Sequence, residues 1–408
     1  MKQKRPVRRL FPVLLINLTG FAIAIPVLPA LAYAMGGSAV DVGLLYAVQS
    51  LGQFVMAPLW GSLSDRLGRK PILLATFAAA AVLELATAFV GSLALLYVSR
   101  FFVGLCAGNV ATASAMIADS TDAESRSKGM AVIGISFGLG FTLGPALGAV
   151  VGWLATPGIA GPMGAGMPFL AAAAMNLLAL ALGAILLEEP LPDPEKRRQN
   201  RRRLPARSLR RQLRRPGVLL AAGLFFFYTV SLTVLEGTFF IFMEAIYGYD
   251  IVEVGFLFAA MGLAMVAFHG AIGPLSRRLG DDRMTLLGVI TLGLGLLIAP
   301  VYPPLWFLLI FLTIATFGRA LVHPGVLAMM SAESRDNQET GQLMGVMQSA
   351  SSLGRIVGPA VGGVLFATIA PQAPFYFAGA LLLVSGVAWW VLRQRHLASI
   401  ANPGVSNA

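Results

Sequence analysis

The chain has 408 residues, 57% of them hydrophobic and only 12% charged, with a mean hydropathy of +0.77. Soluble domains carry roughly 25% charged residues, so there is too little charge here to cover a water-facing surface. Disorder is excluded because disordered chains are poor in apolar residues. One cysteine, Cys106, leaves no intramolecular disulfide and no Cys-based metal site. The three histidines, far apart in sequence, have no metal-binding spacing, so neither a metal nor a cofactor is expected.

In chain order, the charges confine the apolar runs. No Asp, Glu, Lys or Arg falls between Leu10 and Val40, between Val42 and Ser64, or in the 59 residues Gly129–Leu187, and Met284–Gly318 and Ile356–Leu392 are similar. A helix crosses a bilayer in about 20 apolar residues, whereas a barrel strand alternates in polarity. The pattern predicts an all-α polytopic membrane protein with twelve transmembrane helices. They fall over 11–34, 41–63, 71–91, 93–117, 128–152, 167–187, 217–244, 251–273, 284–301, 304–329, 341–367 and 374–392. Gly- and Pro-rich breaks such as Tyr302-Pro303-Pro304 separate them.

Basic residues orient the spans. With a cytoplasmic N-terminus, 27 of the 30 Lys and Arg lie in inside segments, and the other three, Arg100, Arg319 and Arg355, lie within helices. This predicts both termini cytoplasmic and an integral protein of the plasma (inner) membrane of a bacterium. Met1–Ala34 has the form of a secretory signal, but its apolar stretch is too long and holds Pro26 and Pro29. Arginine-rich residues 196–215 read as a cytoplasmic connector resting on anionic headgroups, at roughly 1 kcal/mol per basic residue, rather than as a nucleic-acid patch. Small-molecule cargo, protons and membrane lipids are the expected partners of a monomer that binds no nucleic acid.

The chain is a duplication. Gly61-Ser-Leu-Ser-Asp-Arg-Leu-Gly-Arg-Lys70 has a second copy at Gly273-Pro-Leu-Ser-Arg-Arg-Leu-Gly-Asp-Asp282, 212 residues on. Gly144-Pro145 returns as Gly358-Pro359, and Glu124-Ser125-Arg126 as Glu333-Ser334-Arg335. Two six-helix bundles, 1–187 and 217–408, joined by a basic linker at 188–216, are predicted, with the substrate site near mid-membrane at their interface. The Gly61–Lys70 loop resembles the signature loop of the major facilitator superfamily. Arg100-Phe-Phe-Val-Gly-Leu resembles its second motif, and Gly140-Phe-Thr-Leu-Gly-Pro-Ala-Leu-Gly148 the fifth-helix motif of its proton antiporters. Gly20–Pro29 resembles the first-helix motif of twelve-helix drug:proton antiporters, nearest to tetracycline and multidrug efflux. The resemblance implies secondary active transport by alternating access, proton-coupled efflux of lipophilic drugs or metabolites, and no enzyme activity. The alternative is a transporter of an anionic metabolite, lipid or siderophore with different coupling.

Five ionisable residues fall within predicted spans: Glu84, Arg100, Glu236, Arg319 and Arg355. Each costs about 2.5–3.5 kcal/mol at mid-helix, which makes each a functional candidate. Glu84 and Glu236 are the carboxylates expected to carry protons, with Arg100 holding or releasing one of them. Such exporters often carry an acid where this chain has Asn17. Arg319, Arg355, His269 and His323 make the C-terminal half cationic at depth. Phe21, Phe137, Phe227 and Tyr228 suit a bulky apolar ligand, with Asn17, Gln49, Gln53, Asn109 and Gln348 as sparse polar contacts. Asp65, Arg66, Arg69 and Asp119, with Gly61 and Gly68 in the turn, form a predicted charge cluster that breaks as the halves rock. In the second copy Arg277 replaces Asp65, so only the first loop is expected to form the full network. Gly144 and Pro145, in a glycine stripe with Gly140 and Gly148, predict a tight, bent contact between the halves. Neither a nucleotide-binding loop nor a nucleophile–base set is present.

Overall fold

The computed structural model describes residues 4–107, 109–120, 123–155, 162–190, 214–333 and 337–401. All regular structure among them is helical, as lipid demands of a chain that must satisfy its backbone polar groups internally. The helices are α1 (Lys4–Ala34), α2 (Ala39–Leu67), α3 (Arg69–Thr87), α4 (Leu93–Cys106), α5 (Asn109–Ser120), α6 (Ala123–Ala155) and α7 (Pro162–Leu186). The second series is α8 (Pro216–Tyr247), α9 (Ile251–Leu279), α10 (Asp281–Ile298), α11 (Leu305–Ala332), α12 (Asn337–Thr368) and α13 (Ala373–Ala401). Nine spans among the described residues are long and apolar enough to cross a membrane alone. Shorter apolar stretches in α4 and α6, together with α10, bring the count to twelve, with α4 and α5 forming one interrupted crossing. The fourth span is therefore two helices, not the single one predicted over 93–117. Residues 191–213, most of the basic linker, lie outside the described residues.

Local chemistry sets the ends. Ser38 caps α2 in a reciprocal box: its hydroxyl accepts from the Asp41 N–H at 3.3 Å, and the Asp41 carboxylate accepts from the Ser38 N–H at 2.8 Å. The four glycines with positive φ among the described residues come in two pairs, each 212 residues apart. Gly36 (φ 79°) and Gly248 (φ 66°) turn α1 into α2 and α8 into α9. Gly68 (φ 107°) and Gly280 (φ 77°) turn α2 into α3 and α9 into α10. The duplication thus repeats in backbone angles that side-chain-bearing residues rarely adopt.

The chain divides into two compact units. The first comprises Met1–Arg203 and Glu236–Leu263, the second Leu204–Leu235 and Ala264–Ala408. In the first, α1 packs on α6 and α7, α3 on α7, and α2 on α4; in the second, α10 packs on α11 and α13. Lipid gives no hydrophobic drive between helices, so close approach depends on small residues. A Cβ on Gly140 would stand 2.9 Å from Leu18 Cβ, on Gly144 2.5 Å from Ala22 Cβ, and on Gly148 2.9 Å from the Ile23 carbonyl. The stripe therefore seats α6 on α1 inside the first unit. This corrects the expectation that Gly144 and Pro145 mediate a contact between halves. The second unit repeats the joint 214 residues on: Gly354, Gly358 and Gly362 of α12 lie against Thr229, Thr233 and Val234 of α8.

Candidate functional site

The first unit encloses an ion pair. Arg100 of α4 is 0% exposed and Glu84 of α3 3% exposed. One Arg100 nitrogen, Nη2, donates to Glu84 Oε2 at 3.0 Å and to the Thr87 hydroxyl at 2.7 Å, and Thr87 also meets Ser99 at 2.7 Å. The guanidinium carbon lies 5.2 Å from the centroid of the Phe169 ring, a cation–π distance. Arg100 Nε and Nη1 are buried without a protein partner. The pair is thus neutral overall, but the guanidinium's donor capacity is only partly used.

Tyr46 of α2 was not singled out by sequence, because a tyrosine in an apolar run reads as packing. Its hydroxyl donates to the Ile25 carbonyl at 2.5 Å, and both Glu236 and Arg100 act on it electrostatically. A Cβ on Gly237 would stand 3.2 Å from the Tyr46 ring, so glycine admits the tyrosine beside Glu236. Toward the α2 N-terminus, Tyr97 donates to Asp41 Oδ1 at 3.0 Å, and Asp41 and Glu244 both act on Tyr33. The first unit therefore holds a file of polar groups running from Asp41 and Glu244 past Glu236 and Tyr46 to Glu84 and Arg100.

Asn17 is 3% exposed and tied into an amide ladder. Its Nδ2 donates to Asn176 Oδ1 at 2.7 Å, Asn109 donates to its Oδ1, and Asn176 donates to the Ala172 carbonyl at 2.9 Å. Asn17 and Asn109, expected as cargo contacts, are instead engaged in joining α1, α5 and α7. Gln53 donates to the Ala107 carbonyl at 3.4 Å and Trp60 to the Leu105 carbonyl at 2.5 Å, so α2 satisfies carbonyls freed where α4 ends. Gln49 is half-buried at the α2–α4 contact, where its carbonyl would lie 2.0 Å from a Cβ on Gly104. Phe21 pairs with Phe141 at 6.2 Å between centroids.

At the α2–α3 turn, Arg69 Nε donates to Asp119 Oδ2 at 2.9 Å and Nη1 to the Ser64 hydroxyl at 2.6 Å. Arg66 is exposed. Gly61 and the side chains of Asp65 and Phe137 lie outside the described residues. Sequence reasoning missed Glu189, whose carboxylate accepts from the backbone N–H groups of Arg69 and Lys70, each at 2.7 Å. It caps α3 with a full negative charge, and Gly68 leaves the room: a Cβ there would fall 2.8 Å from Glu189 Oε1. Replacing Glu189 with alanine is expected to cost about 1–2 kcal/mol, read as a lower thermal midpoint in detergent. The second unit builds its own network, contrary to the expectation that only the first loop would. Arg393 donates to Glu333 at 2.8 Å and to Asp282 at 3.3 Å, and Arg215 lies 3.8 Å from Glu333.

Deeper in the second unit, the Arg319 guanidinium donates to the hydroxyl of Tyr228, and Arg355 acts on the same hydroxyl. Arg319, His269 and Arg355 all act on His323. Phe225 stacks on Tyr228 at 5.8 Å and meets the His323 ring at 5.5 Å. Phe227, His269, His323 and Gln348 are exposed, and Arg319 and Arg355 are half-buried.

Twelve crossings built by duplication, with acids and bases held at depth and no strand among the described residues, define a polytopic membrane transporter. The profile of the Major Facilitator Superfamily matches residues 10–244 and 225–406, and the chain belongs to that superfamily. It is 33% identical over 347 residues to the class G tetracycline resistance protein of Vibrio anguillarum, covering 83% of this chain and 85% of that one. It is 30% identical over 362 residues to the class C protein of Escherichia coli, covering 87% and 88%. The crystal structure of the human organic anion transporter MFSD10 (TETRAN) matches 95% of this chain and all of its own, with a TM-score of 0.73 at 26% identity.

Proposed function

We propose that the chain is a proton-coupled exporter of lipophilic drugs or metabolites. It works by alternating access in a bacterial inner membrane as a monomer, with both termini and residues 188–216 in the cytoplasm. Its similarity to tetracycline resistance proteins supports the cargo class, and the distribution of Lys and Arg supports the orientation. The observation that carries the coupling is the sealed Glu84–Arg100 pair with two guanidinium nitrogens unpartnered. Protonating Glu84 removes the counter-charge of Arg100, whose spare donors then favour a different set of acceptors and a different helix arrangement. Protons reach the pair along the file from Asp41 and Glu244 through Glu236 and Tyr46, and cargo competes with the proton at Glu236. The Arg69–Asp119 bridge, with Asp65 and the turn at Gly61 and Gly68, breaks and re-forms as the two six-helix halves, 1–187 and 217–408, rock.

The test is flux in proteoliposomes under an imposed pH jump. Cargo movement driven by the gradient is expected, and Glu236→Gln should slow it by a factor of about 100 or more, the scale of a lost proton-transfer group. Proton-independent exchange should persist in that variant. Movement indifferent to the gradient would reject antiport and leave a differently coupled transporter of an anionic metabolite, lipid or siderophore. An unchanged Glu236→Gln would reject that residue's role.

A further inference from the structure

We infer that the cationic cluster of the second unit is a receptor for the oxyanion head, a carboxylate or sulfonate, of an amphipathic cargo. Arg319, Arg355 and Tyr228 grip the head, and Phe225 and the His323 ring flank the apolar body. The inference rests on the proposed export of lipophilic cargo and adds the charge that cargo carries.

Arg319, Arg355, His269 and His323 come from three helices, α9, α11 and α12, yet are close enough that three of them act on the fourth. Bringing positive groups together inside an apolar span is unfavourable unless an anion enters among them. The carboxylates of this unit whose side chains are described, Asp281, Asp282 and Glu333, are engaged elsewhere, with Ser276, Arg393 and Arg215. The Arg319–Tyr228 hydrogen bond fixes the guanidinium through one contact, leaving other N–H groups of its planar fork to meet a two-oxygen head. Tyr228 itself is 3% exposed and stacked on Phe225, so its hydroxyl is held in place before any ligand arrives. His323, Phe227 and Gln348, exposed around this group, give a bulky cargo access to it.

The test measures equilibrium binding to the full-length protein in nanodiscs of zwitterionic lipid, with no proton gradient. Two probes share one naphthalene fluorophore, one bearing a sulfonate and the other a trimethylammonium group. The sulfonate is expected to bind at least about tenfold tighter, and Arg319→Gln/Arg355→Gln to erase that preference while leaving ammonium binding unchanged. Arg319→Lys, which keeps the charge but loses the fork, should weaken the sulfonate to an intermediate degree. If the double variant does not fold, Tyr228→Phe carries the test: a fall of about threefold for the sulfonate alone supports the site, and no change overturns it. Equal or tighter binding of the ammonium probe to the unmodified protein also overturns it. Loss of proton coupling would not alter these affinities, and loss of sulfonate preference would leave proton-driven export standing with cargo of another charge.

Discussion

Replacing Arg100 with alanine is expected to destabilise the protein by about 3–5 kcal/mol, because the change strands Glu84 as an uncompensated buried charge. The geometry makes the loss nearly unrelieved: Glu84 is 3% exposed, and the nearest donor that the pair shares, the Thr87 hydroxyl, already meets Ser99. The Phe169 ring would lose its cation as well. Adding Glu84→Gln should restore most of the stability, since a neutral amide costs far less to bury than an unpaired carboxylate. Thermal unfolding of the single and double variants in detergent reads both effects. A double variant as unstable as the single one would mean that Arg100 acts through packing and not through charge.

The second large effect has opposite signs at neighbouring glycines. Gly144→Ala and Gly358→Ala are each expected to cost about 1–3 kcal/mol, because the new methyl overpacks a helix joint. At Gly144 it meets Ala22 Cβ at 2.5 Å and the Thr19 carbonyl at 2.7 Å; at Gly358 it meets Thr233 Oγ1 at 2.1 Å and the Val230 carbonyl at 2.9 Å. Gly138, on the same helix as Gly144, has nothing within 4 Å of such a methyl. Gly138→Ala should therefore gain about 0.5–1 kcal/mol from helix propensity alone. Thermal midpoints for the three variants give the comparison, and equal losses at all three positions would refute the joint.

The membrane class, the duplication and most helix ends were legible because each depends on local chemistry. Runs without charge mark spans, and repeated glycines mark turns. The partner of the Gly140–Gly148 stripe was not legible, because spacing by four shows which face is small but not which helix fills it. Glu84 and Arg100 were each recognisable as costly in lipid, but 16 residues of separation do not show that they pair. Asn17 read as a polar contact for cargo because its two amide partners lie 92 and 159 residues away. Glu189 and Tyr46 escaped notice for a similar reason: a carboxylate after a helix and a tyrosine within one are ordinary until their distant partners are known.

The interruption between α4 and α5 has a consequence for sequence change. In an unbroken helix, inserting one residue turns everything beyond it by about 100°, which would swing Asn109 and Asp119 out of register with Arg100. Here α4 ends at Cys106 and α5 begins at Asn109, with the loose carbonyls held by Gln53 and Trp60. The azimuth is reset at that interval, so a residue gained or lost there would leave Arg100 aimed at Glu84 and Asp119 aimed at Arg69. Length variants in this lineage should therefore collect at residues 107–108, while the stretches on either side keep a fixed length.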